Sequence, residues 1–247
     1  MIFTIAAKEL KSLFASPLAW VVLALLELII AYLFLSQIDA FDAVQSRLSQ
    51  LANAPGITEV IVAPLFGSVA TVLLMAVPLL SMRLLAEEKR NRTLTLLISA
   101  PLAMTEIVLG KFLGLLLFLA AVIALPALMA LSLYAGGRLD SGLLLANLLG
   151  ALLLAASFAS LGLFVSSLTA QPVVAAMGTL GALLGLWIVN LATAEPDSVL
   201  HYLSVMKHFE SFNKGLVNTG DIAYFALFTL TFLVLTVRRL DRDRLGA

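Results

Sequence analysis

The sequence predicts an all-α membrane protein. Six transmembrane helices are expected, with an N-terminal interfacial amphipathic helix and a cytoplasmic element between helices 2 and 3. Three observations lead there. Of 247 residues, 62% are hydrophobic and 12% charged, where a soluble domain is nearer half apolar and a quarter charged. The apolar residues cluster in runs of roughly twenty, the length that crosses a bilayer core. The basic residues divide unevenly between the loops those runs define. Lys8, Lys11, Arg83, Lys89, Arg90, Arg92, Lys111, Arg238, Arg239, Arg242 and Arg244 fall on one side, against Arg47, Arg138, Lys207 and Lys214 on the other. By the positive-inside rule, both termini are expected in the cytoplasm. Formal net charge is zero and there are no cysteines. The first gives no support for a nucleic-acid partner, and the second excludes disulfides, thiolate metal sites and cysteine nucleophiles.

The elements follow in order within a single domain, 1–247. Residues 1–16 carry Lys8, Glu9 and Lys11 in mid-segment and do not read as a cleaved signal peptide. Ile2, Phe3, Ala6, Leu10, Leu13 and Phe14 share one helical face, which predicts a helix lying along the membrane surface; a frayed terminus is the plain alternative. Pro17 suits the first turn of a new helix, and the first span is expected over about 17–36. Residues 37–59 are polar and read as an external loop, in part helical. Further spans are expected at about 60–82, 107–134, 142–165, 172–193 and 222–237. The last is the shortest, and the third is tilted or bent near Pro126. Gly110 and Gly114 open the third span. Gly178, Gly181 and Gly185 share the fifth, where Gly181-x-x-x-Gly185 permits close helix approach. No convincing internal repeat is present, which weighs against the repeat-built secondary transporters.

Little catalytic chemistry is visible. The chain has no G-x-x-x-x-G-K-[ST] loop and so does not bind ATP in the P-loop manner; H-E-x-x-H and G-x-S-x-G are also missing. His201 and His208 lie seven residues apart near Glu210, without further ligands at a metal-binding spacing. They read as surface histidines of an external segment, and no metal site or catalytic residue is expected. Glu27 is ten residues past Pro17, about 15 Å along the helix, where an ionised carboxylate costs about 2.5–3.5 kcal/mol. Either it lines a translocation path or a seam between subunits, or it is hydrogen-bonded to a neighbouring helix, with Asn147, Asn190 or Ser157 as partners. Between the second and third spans, Glu87-Glu88-Lys89-Arg90 is too polar for the membrane, yet Leu94, Leu96, Leu97 and Ile98 follow at once. Pro101 then breaks the chain, and Thr105 is the expected N-cap of the next helix. Such an amphipathic element, held between two spans, suits docking to a soluble partner; an ordinary solvated loop is the alternative.

Several stretches in order carry a resemblance. They are Met82-Arg83-Leu84-Leu85-Ala86-Glu87-Glu88-Lys89, Leu96-Leu97-Ile98-Ser99-Ala100-Pro101 and Glu106-Ile107-Val108-Leu109-Gly110-Lys111-Phe112. Together they resemble the ABC-2 type permeases. Ser16-Pro17-Leu18-Ala19-Trp20, His208-Phe209-Glu210-Ser211-Phe212 with Gly215, Asp221-Ile222-Ala223-Tyr224-Phe225, and Leu161 through Thr169 look most like the gliding-motility-associated group. One departure is clear: where the family has Gly-Thr-x-Glu after the charged loop, this chain has Arg92-Thr93-Leu94-Thr95.

The resemblance implies a multi-pass permease subunit of an ABC exporter in the inner (plasma) membrane, itself neither an enzyme nor a cofactor-binding chain. Two separate ABC ATPase copies, which bind ATP and magnesium, would dock on the cytoplasmic face through residues 2–14 and 83–101. Arg83, Glu87, Glu88, Lys89, Arg90 and Arg92 are then the expected ATPase-coupling residues, with Lys8, Glu9 and Lys11 on the interfacial helix. A second permease copy or a related permease would complete the path. The external segment at about 199–218, with His208 and Glu210, would dip into the bilayer as short helices, and an auxiliary membrane protein with an external domain would join. Two other readings stay open: a gradient-driven secondary transporter using Glu27, and a non-transporting scaffold that transmits mechanical force.

Overall fold

The computed structural model describes residues 1–48, 56–94, 103–135, 139–192 and 204–245, with the side chains of all of these but 44–48, 189–192 and 245. Helix α1 (Ile2–Ala15) precedes α2 (Pro17–Leu48). A π-helical turn over Thr58–Val62 runs into α3 (Ala63–Ser81), and the short α4 (Ala86–Arg90) follows. The remaining helices are α5 (Met104–Ser132), α6 (Ser141–Leu168), α7 (Pro172–Ala192), α8 (Val205–Asn213) and α9 (Thr219–Leu245). Among the described residues there are no strands. Five helices, α2, α3, α5, α6 and α9, are long and apolar enough to cross a membrane; α7 adds a shorter apolar helix over Pro172–Ile188.

Local chemistry explains the breaks. Pro17 disfavours helical backbone in the residue before it, and Ser16 is extended at φ −82°, ψ 121°, which parts α1 from α2. Asp140 caps α6, its Oδ1 accepting from the N–H groups of Gly142 at 2.8 Å and Leu143 at 3.3 Å. Ser204 caps α8 by accepting from the Lys207 N–H at 3.4 Å. Helix α5 begins at Met104 with Ala103 at the N-cap, and Glu106 reaches back to the Ala103 N–H at 3.4 Å. Thr105, expected at the cap, therefore lies in the first turn. Pro126 sits inside α5, which continues through it as one helix.

The bundle has an interior and a periphery. In α3 and α6 61% of the apolar window is buried, against 28% in α2 and 22% in α9. Helix α6 is the hub and packs on α3, α5, α7, α8 and α9. Two helices outrun their expected spans because their buried stripes continue. In α2 the stripe Leu26, Ile30, Phe34 extends past residue 36 through Ile38 to Phe41. In α9, expected to be the shortest span, Leu240 is fully buried and the helix is 27 residues long. The close approach expected at Gly181 and Gly185 is not made among the described residues: a Cβ on either would meet none of their atoms within 4 Å.

At the end of the bundle away from α1, α8 buries Val205, Phe209 and Phe212 against its neighbours. Their spacing of four and three puts them on one helical face. Phe212 and Phe209 are both fully buried, so Phe212→Ala should cost about 3–5 kcal/mol. A fall in Tm of the detergent-solubilised chain, with faster proteolysis at α8, is the expected readout.

Candidate functional site at the charged end of the bundle

Lys111 stands eight residues into α5 and is 1% exposed. Its Nζ donates to Glu9 Oε1 of α1 at 2.9 Å and to Glu88 Oε1 of α4 at 2.7 Å. A buried ammonium is costly unless its charge and its hydrogen bonds are met, and here two carboxylates from distant segments meet them. The approach of α1 depends on glycine. A Cβ on Gly110 would stand 2.6 Å from Ile5 Cβ, and one on Gly114 would stand 2.7 Å from Glu9 Cβ and 3.0 Å from the Ala6 carbonyl.

Helix α4 has only five residues, with Glu87 and Glu88 in its first turn and Lys89 and Arg90 in its last. That order suits the helix dipole. Its start is held from outside, because the Ser166 hydroxyl accepts from the N–H groups of Leu85 at 3.2 Å and Ala86 at 3.0 Å and donates to the Met82 carbonyl at 3.1 Å. Lys89 Nζ donates to the Ser167 carbonyl at 2.5 Å and to Asp243 Oδ2 of α9 at 2.6 Å. Arg83 Nε donates to Glu87 Oε2 at 2.7 Å, and its Nη1 donates to Ser16 Oγ at 2.8 Å. The α4 segment is thus bonded to α5, α6, α9 and the α1–α2 junction.

The coupling and interfacial-helix residues singled out from the sequence divide into two sets, apart from Arg83 and Glu87, which pair with each other. Glu9, Glu88 and Lys89 point inward onto partners within the chain. Lys8, Lys11 and Arg92 are exposed, as is Arg90, which lies 3.8 Å from Glu87. Arg92 has φ 57°, a left-handed conformation that costs a non-glycine residue about 1–2 kcal/mol. The chain therefore keeps, with arginine, the kind of turn that glycine makes easily. Between α1 and α4 a cleft of about 260 Å³ opens, lined by Lys8, Ser12, Arg83, Glu87, Asn91 and Lys111 among others. Glu88 Oε2 is buried without a hydrogen-bond partner among the described residues.

Elsewhere the candidates stand apart from this junction. Both carboxylate oxygens of Glu27 are buried without a hydrogen-bond partner among the described residues. Asn147 instead donates to the Leu143 and Asn213 carbonyls, and Ser157 bonds to the Phe225 carbonyl and the Thr229 hydroxyl. The side chain of Asn190, and all of His201, lie outside the described residues. His208, expected on the surface, is packed inside: its Nδ1 lies 2.5 Å from Asp221 Oδ1, and its ring stacks on Tyr224 with centroids 3.9 Å apart. Glu210 is exposed, 4.0 Å from Lys214. Among the described residues no group of three or more His, Asp or Glu side chains is placed to hold a metal ion.

Sequence reasoning missed Ser16, Ser166, Ser167 and Asp243, whose partners are far away in the chain. Lys111 did carry a signal, since a cation inside an apolar run calls for carboxylates. Lys111→Met leaves Glu9 and Glu88 facing each other and should destabilise by about 3–5 kcal/mol. Thermal unfolding in detergent measures it, and adding Glu9→Gln and Glu88→Gln should restore most of the lost Tm. Gly114→Leu should free α1 from α5, read as protease sensitivity within residues 2–15.

The model of the family described as ABC-2 family transporter protein matches residues 3–245, and so takes in all but the first residue of α1 and every helix through α9. No curated protein matches the chain. The family match spans the helices that build the charged junction as well as those long enough to cross a membrane, and the chain belongs to the ABC-2 family of transporter proteins.

Proposed function

We propose that this chain is the membrane half of an ABC exporter and that its ATPase docks on the charged end of the bundle. Family membership makes it a permease subunit and implies an ABC ATPase as partner. The observation that carries the docking reading is the set of bonds made by α4 and the residues just before it, which reach α5 through Glu88, α6 and α9 through Lys89, and the α1–α2 junction through Arg83. A push on so short an element is passed directly to three long helices. In this reading Arg90, Arg92, Lys8 and Lys11 face the ATPase, while Glu9, Glu88 and Lys89 relay its movement. Residues 95–101, the rest of the coupling element, lie outside the described residues.

The finer parts of the reading are these. Both termini lie in the cytoplasm, a reading that the loop charges support, and the membrane is the inner (plasma) membrane. Helix α7, with 21 residues, is about 31 Å long at the usual rise and serves as the sixth span. Two permeases, identical or related, pair around a central path and take two ATPase copies that bind ATP and magnesium. An auxiliary membrane protein with an external domain joins, and transport runs outward; resemblance to the gliding-motility-associated group supports both.

Pull-down of the tagged chain in nanodiscs should recover a P-loop ATPase whose turnover rises in the complex. Arg90→Glu with Arg92→Glu should weaken recovery about tenfold, since exposed charges are worth up to about 1 kcal/mol each. Lys89→Met should leave recovery intact and remove the stimulation. Full stimulation in Lys89→Met would refute the relay. Glu27 supports a second reading, a gradient-driven carrier, because its carboxylate is buried without a partner among the described residues. That carrier would transport without nucleotide and stop in Glu27→Gln, whereas ATP-dependent transport that survives the substitution dismisses it.

A further inference from the structure

Helices α5 and α9 leave a groove between them toward the charged end of the bundle, with a volume of about 360 Å³. Its floor includes Val108, fully buried, and Leu233, 6% exposed. Its rim is open, with Leu230 57% and Val234 50% exposed. Leu230, Val234 and Arg238 recur every four residues, so the arginine continues the same helical face one turn beyond the apolar part. Arg242 stands a further turn on. Neither arginine makes an ion pair among the described residues. The nearby Asp243 is taken by Lys89 and Arg239, and Asp241 pairs with neither Arg238 nor Arg242. The end of the groove is therefore cationic, with no counter-ion paired to it among the described residues.

The lining decides what fits. An extended peptide would leave its backbone N–H and C=O groups unbonded against Val and Leu side chains, which is costly away from water. A hydrocarbon chain needs no hydrogen bonds, and an arginine at the end of a membrane helix reaches the level of the headgroups. We propose that this groove holds one acyl chain of an anionic phospholipid, with its phosphate against Arg238 and Arg242. The site requires only that α5 and α9 cross a bilayer, and it is independent of the ATPase reading.

The test is native mass spectrometry of the full chain with its co-purifying partners, titrated with phosphatidylglycerol or phosphatidylcholine of identical acyl chains. Phosphatidylglycerol should be retained about fivefold better for each arginine engaged. Arg238→Gln with Arg242→Gln should erase that preference, and Arg238→Lys with Arg242→Lys should keep it. Val234→Trp, which fills the groove and leaves both arginines, should lower the retention of phosphatidylglycerol at least fivefold. Equal retention of the two lipids by the unaltered chain overturns the proposal. So does a preference that survives the double glutamine variant, or retention indifferent to Val234→Trp. Loss of ATPase recovery with the lipid preference intact would count against the exporter reading alone.

Discussion

The burial of one ammonium group organises the charged end of this molecule. Lys111 lies among apolar neighbours on α5 with almost no access to solvent, and a charge so placed must find its counter-charges within the protein. Glu9 and Glu88 supply them from segments that would otherwise have little reason to meet. Once both are drawn in, α1 is held against α5 and α4 is held beneath the bundle. Two carboxylates against one lysine leave the triad with excess negative charge, and the cleft beside it places Lys8 and Arg83 nearby. The junction is electrostatically satisfied as a neighbourhood more than as a pair.

Packing makes that electrostatic arrangement possible. Gly110, Lys111 and Gly114 share a face of α5, so the residues that admit α1 flank the residue that binds it. The hydroxyl of Ser166 serves α4 as an N-cap does, but from another helix. The same helix, α6, carries the hub of the interior and receives α8 at its far end. Motion of α6 along its axis would thus be felt at both ends of the bundle. The far end is held by a different chemistry, with Phe209 and Phe212 buried and His208 clasped between Asp221 and Tyr224.

The helices were legible in the sequence because hydropathy is local, although the one cap expected, Thr105, lies inside the first turn. Pro17 and Pro172 open expected spans and begin helices in the structure, whereas the cap at Asp140 was not singled out. Their far limits were less legible: Gln37 and Arg238 look like ends of spans, yet Phe41 and Leu240 carry the buried stripe onward. Polarity marks where a bilayer stops, not where a helix does. The charged stretch at 83–92 was legible as a special segment, but not the direction of each side chain. Glu88 and Lys89 are adjacent and bond to different helices, and their partners are 23 and 154 residues distant. Nothing local distinguishes an inward Lys89 from an outward Arg90. Gly181 and Gly185 make the complementary point, since their spacing favours contact and the described residues offer none.

The 154-residue separation of Lys89 and Asp243 also has a meaning in time. A ribosome adding about 5–20 residues per second makes α4 roughly 8–30 s before it makes the carboxylate that completes it. Glu9 and Glu88 find Lys111 much sooner, so the junction forms in two stages, the first while α6 to α9 are still to be synthesised. Until α9 arrives, Lys89 has the Ser167 carbonyl but not the carboxylate of Asp243, and α9 completes the junction.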